Sequence, residues 1–348
     1  MINKLRIANS TNVESTLASL SNIELEILLE QAEPYHSGIG GESSTISFNE
    51  TKIFVKKIPL TNFEQKPENI QSTYNLFDLP LFYQYGVGSA GFGAWRELQS
   101  HIMASNWVLT KQCASFPILY HWRVLPRKPV SVDISYWKNI DRYTEYWNKE
   151  TNIRDLLHAL NASAACIALF IEYVPQTLSS WLSKKVNNRD ASADLAIEFV
   201  DSSLFTVNKF LQNNGFIHFD LHFENILTDG NELYLSDFGL AVSSNFELTI
   251  AEKQFLKKHN NYDVYCAALN ILHCIITARY GKEEWINKLK KHIKYMHGSP
   301  ANYYDEVIMK YHRIAILMDC FLTNLQKDKQ TLFPAEQLAA ALASVIND

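Results

Sequence analysis

Strand-like and helix-like patterns occupy different halves of this chain, and that segregation limits the folds open to it more than any other feature. Before Tyr173 the apolar runs are short and end at turn formers: TISF, the polar turn NETK, then IFVKKI; later FPILYHWRVL (116–125) and ACIALFIEY (165–173). Each reads as a strand. Past Pro175, which cannot donate to a sheet ladder, apolar residues recur at helical spacing in SSWLSKK, in ADLAIEFVDSSLFTVNKFLQNN and in several segments from Asp263 onward. Strands first and helices afterwards predict an α+β chain, with a small sheet-rich part and a larger helical part joined near 173–177. Helical patterns also occur early, in SNIELEILLEQ (21–31) and AWRELQSHIMASNWVL (94–109), while 59–82 carries Pro59, Pro67 and Pro80 and reads as irregular. The expected organisation is a helical N-terminal extension over 1–30, a sheet-rich part over 31–174 with insertions at about 59–93 and 126–163, and a helical part over 175–348.

Composition narrows the functional classes. A chain of 348 residues that is 47% hydrophobic and 20% charged can bury a substantial core. Its net charge of −5 provides no general attraction for nucleic acid, and pairs such as Lys56-Lys57, Lys184-Lys185 and Lys257-Lys258 read as solvated surface. The five cysteines are odd in number and lack C-x-x-C spacing, against both a disulfide framework and a zinc site. The N-terminus lacks the apolar centre of a signal peptide, and the longest apolar run, near 164–171, is too short for a bilayer. The expectation is a cytoplasmic protein, or one exported without such a signal, with no membrane or nucleic-acid partner.

Polar chemistry concentrates in IHFDLHFENILTDGNELYLSDFGLA (217–241), where polar residues interrupt apolar ones at spacings that no amphipathic element explains. Asp220 and Asn225 fall on a loop. Two short strands about Asp229-Gly230 form a hairpin expected to bring Asn225 and Asp237 roughly abreast. A carboxylate and an amide oxygen suit Mg²⁺ that also bonds phosphate oxygens. Asp220 would then accept the proton of an attacking hydroxyl.

At these residues the chain resembles the eukaryotic-type protein kinase superfamily. His218 to Asn225 is similar to the catalytic loop H-R-D-L-x-x-x-N, and Asp237-Phe238-Gly239 to the D-F-G triplet. The resemblance implies a two-lobed protein-kinase-like fold, ATP and Mg²⁺ as cofactors, Asp220 as catalytic base, and Asn225 and Asp237 as metal ligands. It implies that Lys56, in IFVKKI, holds the α- and β-phosphates and pairs with Glu97. FIEYVPQTL resembles the hinge that reads adenine through backbone groups of Glu172 and Val174, with Ile171 as gatekeeper. Asp263-Val264-Tyr265 is similar to the start of the helix whose aspartate supports the catalytic loop. The likeness runs over about 38–281; the remaining C-terminal residues match only as generic helices.

Four departures qualify the likeness. Phe219 stands where the family has the arginine that pairs with a phosphorylated activation loop, so switching by phosphorylation of Ser243, Ser244 or Thr249 is not expected to work in that way. His222 replaces the next lysine, as in haspin-like kinases and many small-molecule phosphotransferases; protonated, it would stabilise the transferring phosphoryl group. Asp237 and Asp263 lie close in sequence with no A-P-E motif between them. The interval between Lys56 and Glu97 is about twice the family's, and the insertion there contains GVGSAGFG (86–93).

Two glycine-rich stretches therefore compete for a phosphate. SGIGGESS precedes the hairpin that carries Lys56, the order a kinase requires, so Gly38 and Gly40 are assigned to the nucleotide, with Ser43 at the third glycine's place. GVGSAGFG runs straight into a helix and lacks the strand and acidic residue of a dinucleotide fold. It reads as a tight connection needing positive φ angles, with an anion-binding edge at the helix N-terminus as the alternative. The aromatic residues Trp137, Tyr143, Tyr146 and Trp147 read as covering a core, with a partner-binding patch as the alternative. His121, His158 and His273 read as packed or surface residues. The functional expectation is an ATP-dependent phosphotransferase acting on protein Ser/Thr hydroxyls. The alternatives are a small-molecule kinase of the aminoglycoside or choline phosphotransferase type, acting on a hydroxyl-bearing small molecule, and a catalytically inactive binding module.

Overall fold

The computed structural model describes residues 4–38, 41–48, 51–127, 139–188, 191–296 and 300–347. The chain is mixed α+β and divides into two compact units, one of Met1–Tyr173 with Asp237–Lys253, the other of Val174–Ser236 with Gln254–Asp348. The stretch after the D-F-G triplet thus packs with the sheet-rich unit, although sequence order had put it in the helical part.

The first unit begins with helices α1 (Lys4–Ser19) and α2 (Asn22–Glu30). Ser21 starts α2 because its side chain accepts from Glu24 N–H while the Glu24 carboxylate receives Ser21 N–H, so two otherwise unpaired donors are satisfied together. An antiparallel sheet follows, built of β1 (Glu33–Gly38), β2 (Gly41–Phe48), β3 (Thr51–Leu60), β4 (Leu119–Pro126) and β5 (Ala165–Glu172) in the order β1-β2-β3-β5-β4. β4 starts three residues later than the sequence pattern implies. Every residue of β5 before Glu172 is buried, which is why its sequence is continuously apolar and does not alternate. Helix α3 (Ala94–Leu109) lays Trp95 and Leu98 against Ile58, Leu60, Ile167 and Leu169 of β3 and β5.

Both insertions are structured. The second contains α4 (Ile140–Tyr146) and α5 (Thr151–Asn161). They close over the first to form a separate apolar core from Leu79, Tyr83 and Phe92 on one side and Tyr143, Trp147, Ile153 and Leu157 on the other. Tyr143 and Trp147 are therefore core residues, and Trp137 lies outside the described residues. The irregular first insertion gains its order from this burial, since it has no backbone ladder of its own beyond single 3-10 turns at Pro67–Asn69 and Leu81–Gln84.

The second unit opens with β6 (Gln176–Thr177), α6 (Leu178–Asn187), α7 (Ala191–Asn213) and β7 (Phe216–Ile217). β8 (Ile226–Thr228) and β9 (Leu233–Leu235) form the expected hairpin, and β6 joins them in the order β6-β8-β9. The hairpin turns at Asp229, whose carboxylate accepts from the backbone N–H of Asn231 and Glu232. Helices α8 (Ile250–Lys258), α9 (Tyr262–Tyr280), α10 (Trp285–Tyr295), α11 (Tyr303–Lys327) and α12 (Ala335–Asn347) complete the chain. Asp201 on α7 is buried and fastens α11, accepting from Tyr303 and Tyr311 hydroxyls and from Lys310. No described helix is long and apolar enough to cross a membrane.

Candidate functional site

Within the first unit, Lys56 sits centrally in β3, opposite Ser43 of β2 and Leu169 of β5. Its ammonium lies 2.6 Å from a Glu97 carboxylate oxygen on α3 and 2.8 Å from Asp237 Oδ1. Burial alone would lower the Lys56 pKa, but the carboxylates of Asp237 and Glu97 outweigh it and hold the ammonium charged well above the ordinary lysine value. Glu97 is as buried as Lys56, whereas the Asp237 side chain is 46% exposed. One carboxylate thus anchors the lysine, and the other presents charge to solvent. Asp237 has φ 61°, a left-handed backbone that an aspartate adopts only when its surroundings impose it. Phe238 next to it is fully buried, edge-on to His101 at 4.8 Å between ring centres.

Within the second unit, the loop between β7 and β8 is fixed from below by Asp263, in the first turn of α9. Its buried carboxylate accepts the backbone N–H of His218 at 2.7 Å and of Phe219 at 3.0 Å. Burial pushes its pKa up to about 7, against the opposing pull of those two hydrogen bonds. The fully buried His218 ring bridges Ser236 carbonyl oxygen through Nε2, 2.9 Å, and Asp220 N–H through Nδ1, 3.4 Å. These two partners select the Nε2-protonated tautomer. Asn225 Nδ2 donates to both the carbonyl and Oδ2 of Asp220, each at 3.0 Å, which leaves the amide oxygen as its acceptor end. His222 Nε2 lies 3.7 Å from Asp220 Oδ2, with its side chain 44% exposed.

Phe219 has φ 63° and is 1% exposed. It stacks on Phe255 at 5.6 Å and lies 4.8 Å from Tyr262. It makes an apolar contact with α8 and α9. The β8–β9 register pairs Ile226 with Leu235, and Ser236 N–H donates to the Asn225 carbonyl oxygen just beyond it.

Of the assigned nucleotide-binding positions, Gly38 ends β1 opposite Gly41, Ser43 faces Lys56 across the β2–β3 ladder, and Gly40 lies outside the described residues. Gly41 was not singled out from sequence, yet it is the glycine whose side the backbone closes off: a Cβ there would meet Lys57 oxygen at 2.3 Å. Glu172 donates its N–H to Ile118, and its carboxylate is held by Arg6 of α1 at 2.7 Å and 3.0 Å from Nε. Arg6 also donates to the carbonyls of Ala114 and Phe116. Val174 is half-buried at the start of the second unit, and Ile171 is buried.

GVGSAGFG is the tight connection it reads as, with φ 102°, 83° and 120° at Gly88, Gly91 and Gly93. The alternative, an anion site at the α3 N-terminus, meets an internal occupant. The buried Glu64 carboxylate takes Ala94 N–H at 2.7 Å through Oε1. Its other oxygen takes Thr61 N–H and hydroxyl. Thr249 and Glu252 repeat this arrangement, with Glu252 Oε2 accepting from Thr249 and Oε1 from buried Arg96 at 2.7 Å. Sequence reasoning missed both, although T-x-x-E was present in TNFE and TIAE as a signal for the local half. Their distant partners Ala94 and Arg96 have no sequence signature. Of the three hydroxyl residues after the D-F-G triplet, Ser243 is completely buried, Thr249 donates its hydroxyl to Glu252, and Ser244 is exposed.

Among the described residues, no group of three or more His, Cys, Asp or Glu side chains is arranged to hold a metal unaided. In the first unit the Asp237 carboxylate is half-exposed, and in the second the Asn225 amide keeps its oxygen as an acceptor; taken singly, each is a hard oxygen donor of the kind Mg²⁺ takes. No protein-family model and no curated protein matches the chain.

Proposed function

We propose that this chain is an ATP- and Mg²⁺-dependent phosphotransferase with a two-lobed, kinase-like architecture, acting on Ser/Thr hydroxyls of proteins. The observation that carries the reading is Lys56, buried and charged between an anchoring carboxylate, Glu97, and a half-exposed one, Asp237. A permanently cationic, sequestered ammonium suits the α- and β-phosphates of ATP, and Asp237 with Asn225 suits the metal. Mg²⁺, when bound, neutralises phosphate charge. The chain's own residues do the rest. Lys56 orients the phosphates, and Glu97 fixes Lys56. Asp220, held by Asn225 Nδ2, accepts the proton of the attacking hydroxyl. His222 beside it supplies positive charge when protonated, and Asp263 supports the loop through two backbone amides.

A small-molecule hydroxyl acceptor is the second reading. It is favoured by the short span from Asp237 to Asp263, much of it taken up by α8, which leaves little chain for docking a peptide. Incubation with γ-labelled ATP and a cell lysate separates the two, since label enters protein in one case and metabolites in the other. Asp220→Asn is expected to abolish label transfer while ATP binding persists, and Asp237→Ala to weaken Mg²⁺-nucleotide binding as well. Wild-type transfer by Asp220→Asn would end the assignment of the base.

A further inference from the structure

The segment after the D-F-G triplet carries little regular structure before α8, yet side chains of the first insertion and α3 hold it at successive points, all within the first unit. Gln84 Nε2 donates to the carbonyl of Leu240. Gly91 lies so near the Gly239 carbonyl that a Cβ would meet its oxygen at 2.5 Å. The Glu247 carboxylate accepts from Ser72 hydroxyl at 2.8 Å and Thr73 N–H at 2.9 Å, and Glu247 N–H returns a bond to Thr73 Oγ1. Arg96, 2% exposed, joins Thr73 carbonyl oxygen at 2.6 Å to the Glu252 carboxylate at 2.7 Å.

We infer that residues 72–96 form a built-in clamp that fixes the segment 237–252, and through it the Asp237 carboxylate, without any phosphoryl group. The physical reason lies in Arg96. If the segment swung away, a buried guanidinium would lose the carboxylates of Glu252 and Glu247 and the Thr73 amide its acceptor, so the displaced state is strongly disfavoured. Elsewhere a phosphate can order such a segment by charge-assisted hydrogen bonds. Here Glu247 and Glu252 provide permanent negative charge at two points. Arg96 and Gln84 are positioning residues, since they act on Asp237 only through the backbone between. That functional link rests on the proposed phosphotransferase reading, whereas the clamp itself does not.

Hydrogen exchange of peptides spanning 237–249, measured on the nucleotide-free chain, tests the clamp directly. Wild-type amides at 240–248 are expected to be protected. Arg96→Ala, and Ser72→Asp, which sets a second carboxylate against Glu247, should each speed their exchange about tenfold or more. Arg96→Lys should recover part of the protection. Ser72 is partly exposed, so Ser72→Asp remains informative if Arg96→Ala fails to fold. Exchange within about threefold of wild type in Ser72→Asp would overturn the clamp. In parallel, the dissociation constant for Mg²⁺-ATP is expected to rise about tenfold in Ser72→Asp, with ATP binding in the absence of Mg²⁺ little changed. Loosened exchange with unaltered Mg²⁺-ATP affinity would refute the link to Asp237. Absence of nucleotide binding in the wild type would refute the phosphotransferase reading and leave the exchange result to decide the clamp.

Discussion

Replacing Lys56 by methionine removes the counter-charge from two carboxylates with different access to water. Glu97, with 5% of its side chain exposed, is then left beside the His101 ring, with Nε2 at 3.9 Å, whereas Asp237, 46% exposed, can be hydrated. Most of the cost therefore falls on Glu97, and breaking a buried pair in this way costs about 3–5 kcal/mol. Glu97→Met should cost less, about 1–2 kcal/mol, because Lys56 retains Asp237 at 2.8 Å. The double variant puts two apolar chains of matching size in place of the buried pair, one of them across the ladder from Leu169, and such replacements often cost little, so its loss should be smaller than that of Lys56→Met alone. Single losses that sum to about 4–7 kcal/mol, against a loss of about 2–3 kcal/mol in the double variant, leave a coupling of about 2–4 kcal/mol. The assay is hydrogen exchange of β3 and α3 peptides across a urea series, which reports on the first unit by itself. Additive losses, or a Lys56→Met chain as stable as wild type, would refute the argument. The pair's pH dependence has a definite sign: with the Lys56 pKa raised, its stabilisation is full at neutral pH and fades only as pH climbs past the ordinary lysine value.

Two further outcomes are expected. Phe219→Arg should destabilise the second unit by about 2–4 kcal/mol, because it desolvates a guanidinium in a pocket of Phe255 and Tyr262, and it should not create dependence on phosphorylation. Thermal unfolding and activity after phosphatase treatment of the variant check both halves; a tenfold loss on dephosphorylation of Phe219→Arg would contradict the second. Asp263 has a folded pKa near 7 against an ordinary value of 3.8, so the folded chain holds an extra proton between these values and stability should fall as pH rises through that window. Asp263→Asn should flatten this slope and lower stability by about 1–3 kcal/mol at pH 5, since an amide presents one acceptor where His218 and Phe219 need two. Chemical denaturation from pH 4 to 8 measures it, and an unchanged slope would count against Asp263 as its source.

Local pattern carried much of this protein's architecture. Helix α3 falls on the predicted 94–109, and β3, β5 and the β8–β9 hairpin follow from short apolar runs closed by turn formers, because period and turn chemistry are properties of neighbouring residues. The glycine-rich stretch at 86–93 was legible as a tight turn for the same reason, and its φ angles agree. Asp220, Asn225 and Asp237 stood out because polar residues interrupt apolar ones there without an amphipathic period. What the sequence left open depends on distant pairing. TNFE and TIAE announce local capping boxes, yet nothing nearby reveals that the second carboxylate oxygens of Glu64 and Glu252 reach Ala94 and Arg96. Arg6 on α1 meeting Glu172 at the end of β5 is equally silent in sequence. The first insertion looked irregular, with three prolines and no periodic apolar face; the core it shares with the second around Tyr83 and Trp147 exists only once the two segments are side by side. The packing role of Phe219 was likewise decided by tertiary structure, since only the surrounding aromatic rings make a buried phenyl group favourable at that backbone position.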